Sequence, residues 1–138
     1  MFQILLAEDN PGDVRLFIEA LNSFGLSYQL AVAEDGQKAI AMVKGAAEGS
    51  QTRPDVIVLD VNLPRRNGDD VLRQIRAEPA LRGLPVIMLT SSESPADYSV
   101  AKGLGADLYL RKPSNLEELL EIARIIEGVL TRAPGAKG

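Results

Sequence analysis

The chain has 138 residues, a net charge of −4 and a pI near 4.9, and it contains neither cysteine nor histidine. That excludes disulfides, thiolate and histidine zinc sites, and every nucleophilic or acid–base scheme built on histidine. A bound metal must be held by oxygen, which favours Mg²⁺ or Ca²⁺, and the acidic balance lacks the basic excess of a nucleic-acid binder. The apolar N-terminal run is too short for a signal peptide and has no basic start, and no stretch approaches the roughly 18 apolar residues of a membrane span. A cytoplasmic domain of residues 1–131 is expected, followed by a flexible tail over 132–138.

In chain order, Phe2 to Ala7 reads as a strand, and Asn10-Pro11 supplies a cap and a first-turn proline for a helix with Val14, Phe17, Ile18 and Leu21 on one face. A second strand fits Ser27 to Ala33 and a second helix Gly36 to Ala46, with a polar loop from Gly45 to Pro54. Val56 to Leu59 is continuously apolar, as expected of a strand covered on both faces. Gly68 to Arg76 is helical, Pro85 to Leu89 a strand, Ser94 to Leu104 a helix and Leu108 to Leu110 a short strand. Ser114-Asn115-Leu116-Glu117 has the spacing of a capping box, opening a last helix that reaches about Leu130. Strands alternating with helices imply an α/β fold, a doubly wound five-stranded parallel sheet with helices on both faces.

In open parallel sheets, sites form at the carboxyl ends of the strands. The first strand ends in Glu8-Asp9, the third in Asp60 and the fourth in Thr90, and the fifth is followed by Lys112-Pro113. Three carboxylates at one sheet edge repel one another unless a cation joins them. Oxygen-ligated Mg²⁺ answers that need, with Lys112 as a second positive point charge. Carboxylates, a hard dication, a lysine and a hydroxyl suit phosphoryl transfer to an aspartate.

With Val61-Asn62-Leu63-Pro64 and Gly68 after Asp60, the whole series resembles the receiver domain of two-component response regulators, over about residues 3 to 130. The resemblance implies the flavodoxin-like strand order 2-1-3-4-5. It implies phosphoryl uptake on Asp60 from a histidine kinase, without catalysis beyond self-directed transfer and autodephosphorylation. It makes Asp9, Asp60 and the Asn62 backbone carbonyl ligands of Mg²⁺, with Glu8 acting through water and Mn²⁺ or Ca²⁺ able to substitute. It assigns phosphate contacts to Thr90 and Lys112, a switch to Thr90 and Tyr109, and a cis bond to Lys112–Pro113. Glu8 to Asp13, Asn62 to Gly68 and the long loop before Asp55 are most similar to single-domain regulators that partner bacterial and cyanobacterial phytochrome kinases.

Rival readings meet specific obstacles. A Mg²⁺-dependent phosphohydrolase with an aspartyl nucleophile carries a second Asp two positions on, where this chain has Asn62. A P-loop switch needs a glycine-rich loop ending in Lys-Ser or Lys-Thr, and Glu8 to Asp13 has neither. A degenerate receiver acting as an adaptor would lack one of Asp9, Asp60, Thr90 or Lys112. Arg65-Arg66 reads as a solvated turn. Finally, Leu116, Leu119, Ala123, Ile126 and Leu130 form the expected inward stripe of the last helix. Ile122, Ile125 and Val129 form a second apolar stripe, which predicts an interface, such as a homodimer through the last helix and fifth strand.

Overall fold

The computed structural model describes residues 1–92 and 94–132. The expected tail therefore lies outside the described residues, apart from Arg132, which closes the last helix. Five strands, β1 (Phe2–Ala7), β2 (Tyr28–Ala33), β3 (Val56–Asp60), β4 (Val86–Thr90) and β5 (Leu108–Arg111), form one parallel sheet in the order β2-β1-β3-β4-β5. The helices between and after them are α1 (Pro11–Asn22), α2 (Gly36–Glu48), α3 (Gly68–Ala77), α4 (Pro95–Leu104) and α5 (Leu116–Arg132). A single 3-10 turn at Pro79–Leu81 precedes β4. Among the described residues, no helix is long and apolar enough to cross a membrane.

Alternation along the strands divides the core. Leu5, Ala7, Ile57, Leu59, Val86 and Met88 meet α2 and α3 on one face, whereas Ile4, Leu6, Val56, Val58, Ile87 and Leu89 meet α1 and α5 on the other. This is why β3 and β4 are apolar at every position before their last residue. Side-chain oxygens of Asn10, Asp35 and Asn67 accept from the first-turn amides of α1, α2 and α3.

Three expectations about the last helix are corrected. Its cap is Asn115, which accepts from Glu118 N at 2.8 Å while Glu118 reaches back to Ser114 N, also at 2.8 Å, so the reciprocal pair lies one residue beyond the Ser114–Glu117 spacing. Leu116 is exposed at 62%, because it occupies the first turn, before the helix lies over the sheet. Ile122 is only 5% exposed and belongs to the core with Leu119, Ala123, Ile126 and Leu130, because helical spacing of three and four places it beside Leu119 and Ile126. The outer stripe therefore reduces to Ile125 and Val129, both half-buried. Tyr109 packs on the α2–α3 side of the sheet, whereas Leu108, Leu110 and Val129 pack on the α1–α5 side.

Opposite the carboxyl edge, Arg76 ties three segments together. Its guanidinium donates to Arg82 O at 3.1 Å, Leu84 O at 2.8 Å and Gly105 O at 2.8 and 3.0 Å, and it pairs with Asp107 at 2.9 Å. Gly105 takes the left-handed conformation that ends α4, at φ +98°. Replacing Arg76 with Met keeps the stem and removes every one of these donors. The fold should lose about 2–3 kcal/mol in urea titration; a loss below about 0.5 kcal/mol would show that the staple is dispensable.

Candidate functional site

The strand order reverses direction at β1 and β3, so the crevice beyond their carboxyl ends is open to side chains from both. Glu8 and Asp9 follow β1, and Asp60 is the last residue of β3. One carboxylate oxygen from each lies within 4.8 Å of the others. Glu8 and Asp60 are buried, at 6% and 3% exposure, and Asp9 is exposed at the mouth. At an effective dielectric constant near 20, two such charges repel by about 3–4 kcal/mol.

Lys112, just beyond β5, reaches into this cluster. Its Nζ stands 2.7 Å from Asp60 Oδ2, 3.2 Å from Glu8 Oε1 and 4.0 Å from Asp13 Oδ2. Its backbone N–H donates to Thr90 O at 2.6 Å, which fixes the base of the side chain against the end of β4. The other Asp60 oxygen accepts from Asn62 N at 3.0 Å, so the loop after β3 folds back over the carboxylate. Thr90 is buried, and its hydroxyl oxygen accepts from Ser92 N at 3.0 Å.

The ionisation of the site follows from this geometry. Burial pushes the Glu8 carboxyl above its ordinary value, opposed by the Asn10 N–H and the Lys112 charge and assisted by the charge of Asp60. For Lys112, burial works against the charged form, but the hydrogen bond and charge of Asp60, and then those of Glu8, outweigh it and raise its pKa. One lysine thus faces three carboxylates. The donor set is all oxygen, crowded and partly desolvated, which fits a hard divalent cation. Asp9 at the mouth leaves that cation a path from solvent.

The other expected residues are placed as follows. Tyr109 is half-buried, edge-on to Tyr98, with ring centroids 5.7 Å apart at 72°. A cleft of about 410 Å³ lies between it and Thr90, lined also by Ser92, Ser94 and Pro95. The Lys112–Pro113 peptide is trans, correcting the cis expectation. Trans is lower by about 0.5–1 kcal/mol before proline, and Lys112 meets both Thr90 O and Asp60 from that geometry, so nothing here compels the costlier isomer. Ile122, Ile125 and Val129 lie on α5, away from this edge.

Sequence reasoning missed Asp13, which joins the Lys112 network, and the Asp35-Gly36 pair, which abuts the loop after β3. Asp13 could have been found from its position in the first turn of α1, at the same sheet edge.

Residues 4–124 match the family model described as the response regulator receiver domain. The chain belongs to the response-regulator receiver family. Response regulator Rcp1 of Synechocystis sp. is 36% identical over 125 residues, covering 90% of this chain and 85% of Rcp1. The solved Mn²⁺-bound form of Rcp1 superposes with a TM-score of 0.85 at 32% identity over all of both chains. The phosphorylated cyanobacterial phytochrome response regulator RcpA gives 0.87 at 34% identity over 96% of each chain. The bacteriophytochrome response regulator AtBRR gives 0.73 at 33% identity over 94% of each.

A pH dependence follows for the receiver's metal-free state. A carboxyl with a raised folded pKa contributes stability that is full below its unfolded value, near 4.5, and is lost as pH rises through the folded value. Glu8→Gln removes that loss. The variant should be more stable than wild type at pH 8 without metal, and the gap should close as pH falls toward 4.5. Urea titrations of both proteins across that range check it; a gap that widens on acidification contradicts the assignment.

Proposed function

We propose that this receiver acts as a single-domain response regulator in a phosphorelay, accepting a phosphoryl group on Asp60 from a phosphohistidine of a histidine kinase. The observation that carries the reading is Asp60 itself. It is a 3%-exposed carboxylate at the end of a central strand, held by Lys112 at 2.7 Å and by the Asn62 N–H at 3.0 Å, with two further carboxylates alongside. Burying a carboxylate among others is costly even where a lysine and an N–H offset it, and groups held at such cost cluster at functional sites.

In this reading Asp9, Asp60 and the Asn62 backbone carbonyl would hold Mg²⁺, with Glu8 acting through water, and Mn²⁺ or Ca²⁺ could take its place; the cation would supply charge neutralisation for the transferring group. An Asp60 oxygen attacks phosphorus while the P–N bond to the donor imidazole breaks, leaving that electron pair on nitrogen, where a proton is taken up. Lys112 Nζ meets negative charge on the equatorial phosphoryl oxygens, a contribution of the oxyanion-hole kind. Thr90 turns its hydroxyl from Ser92 N toward the new phosphoryl group. Tyr109 then swings into the cleft beside Thr90, leaving its edge contact with Tyr98. The protein's own chemistry ends with hydrolysis of the acyl phosphate.

The likeness to Rcp1, RcpA and AtBRR supports a phytochrome-like kinase as the source of the signal. Beside Lys112, a cleft of about 260 Å³ opens between α1 and the start of α5, with Leu16 and Leu116 exposed at its rim. That rim supports kinase docking where the phosphohistidine must reach Asp60. A homodimer through β5 and α5 would use Ile125 and Val129, without Ile122, and a cytoplasmic setting accords with a kinase-facing role.

Phosphoryl uptake should require a divalent cation, vanish in Asp60→Asn, and slow by about 100-fold in Lys112→Met. Leu16→Glu combined with Leu116→Glu should slow transfer from a kinase and leave uptake from acetyl phosphate unchanged. Intact-mass spectra with and without chelator read the first set. An Asp60→Asn protein phosphorylated at the wild-type rate would overturn the reading.

A further inference from the structure

The loop between β3 and α3 carries Asn62, and it is braced from outside the site. Gly36, the first residue of α2, donates its N–H to Pro64 O at 3.1 Å. Pro64 O also accepts from Arg66 N at 2.8 Å, closing a tight turn in which Arg65 sits at φ +69°. Arg65 is the one non-glycine residue with positive φ among the described residues, in a region that L side chains rarely occupy. Its guanidinium faces Asp35 at 3.5 Å, and Asp35 in turn caps α2 by accepting from Lys38 N at 2.7 Å. A Cβ placed on Gly36 would stand 1.7 Å from Arg66 O, so the helix start and the loop are in direct backbone contact. Leu63, between Asn62 and Pro64, is buried in the core.

We infer that the N-terminus of α2 is a fixed stop that positions the Asn62 segment of the cation site, with Gly36 and Asp35 as its positioning residues. Neither residue belongs to the acidic cluster. Their effect passes through the Pro64–Arg66 turn, whose strained Arg65 persists because its neighbours on both sides are held. A carbonyl ligand is useful only if its loop returns to one place, and outer partners of this kind typically change metal affinity by about 10–100-fold.

This inference rests on the cation site proposed above, and the experiment separates the two. Mn²⁺ alone is titrated into wild type, Gly36→Ala, Asp35→Asn and Asp9→Ala, followed by solvent-proton relaxation, and amide exchange at Asn62 is measured without metal. Ile126→Val, a core truncation on the α5 side of the sheet, serves as the stability control. Gly36→Ala should weaken Mn²⁺ binding about tenfold and speed Asn62 exchange in the metal-free protein, and Ile126→Val should do neither. Asp35→Asn keeps the capping oxygen and removes the charge facing Arg65; it should change both readouts in the same direction, less strongly, and it decides the matter if Gly36→Ala does not fold. Wild-type values for Asn62 exchange and Mn²⁺ affinity in the folded variants overturn the inference. Equal binding by Asp9→Ala and wild type would instead overturn the cation site itself, leaving the exchange result to judge the brace.

Discussion

Three carboxylates held within 4.8 Å of one another, with one lysine among them, are the constraint from which the rest of this molecule follows. Like charges this close repel, and at Glu8 burial first, with the charge of Asp60 behind it, pushes the carboxyl above its ordinary value against the Asn10 N–H and Lys112. Burial that would normally be spent on apolar contacts is spent on charge, and the balance is restored only when more positive charge arrives. A cation there would relieve the crowding, and in the proposed reading a phosphoryl group on Asp60 would replace a small carboxylate with a larger anion in need of donors. Lys112 Nζ already stands 2.7 Å from Asp60, Thr90 ends the neighbouring strand, and the two are tied to each other through the Lys112 N–H and Thr90 O.

The fold supplies rigidity where the charges converge and loosens where a response would be read. β3 and β4 are buried throughout, so Asp60 and Thr90 are carried on the stiffest part of the sheet. By contrast, α4 buries only Ala101 and exposes Tyr98 and Val100. Its far end is anchored through Gly105 by Arg76, whereas its near end follows the Ser92–Thr90 turn. An element with few buried contacts, stapled at one end and joined to the site at the other, is drawn from the end of the stability range where local opening costs least. The same division explains why the brace on the Asn62 loop comes from α2, which lies on the side of the sheet packed most continuously against α3.

Much of this was legible in the order of residues. Val56 to Leu59 with Asp60 behind them announces a central strand ending in a charge, and Glu8-Asp9 and Lys112 fall just beyond the ends of two other strands, so parallel topology alone brings them together. The errors have local causes. Spacing alone puts Ile122 outward because a wide helical stripe and two narrow ones share the same period, and only the packed partner, here Leu119 with Ile126, separates them. The capping box lies one residue beyond its apparent position because Asn115 and Ser114 are both good caps, and Glu117 and Glu118 are both in reach. The Lys112–Pro113 bond followed a resemblance and not a demand of the chain. Gly36 and Asp35 gave no signal, since a helix-opening Asp-Gly pair is ordinary until the backbone of Arg66 is seen against it.

The central claim is that Asp60 is the group modified. The most direct measurement is to phosphorylate the wild-type protein with acetyl phosphate and Mg²⁺, reduce the acyl phosphate with borohydride, and sequence the peptides by mass spectrometry. Reduction converts an aspartyl phosphate to homoserine and leaves free carboxylates unchanged. The account predicts homoserine at position 60 alone, absent when chelator replaces Mg²⁺. Homoserine at position 9 or 13 with Asp60 intact, or a phosphate ester on Thr90 or Ser91 in its place, would contradict it.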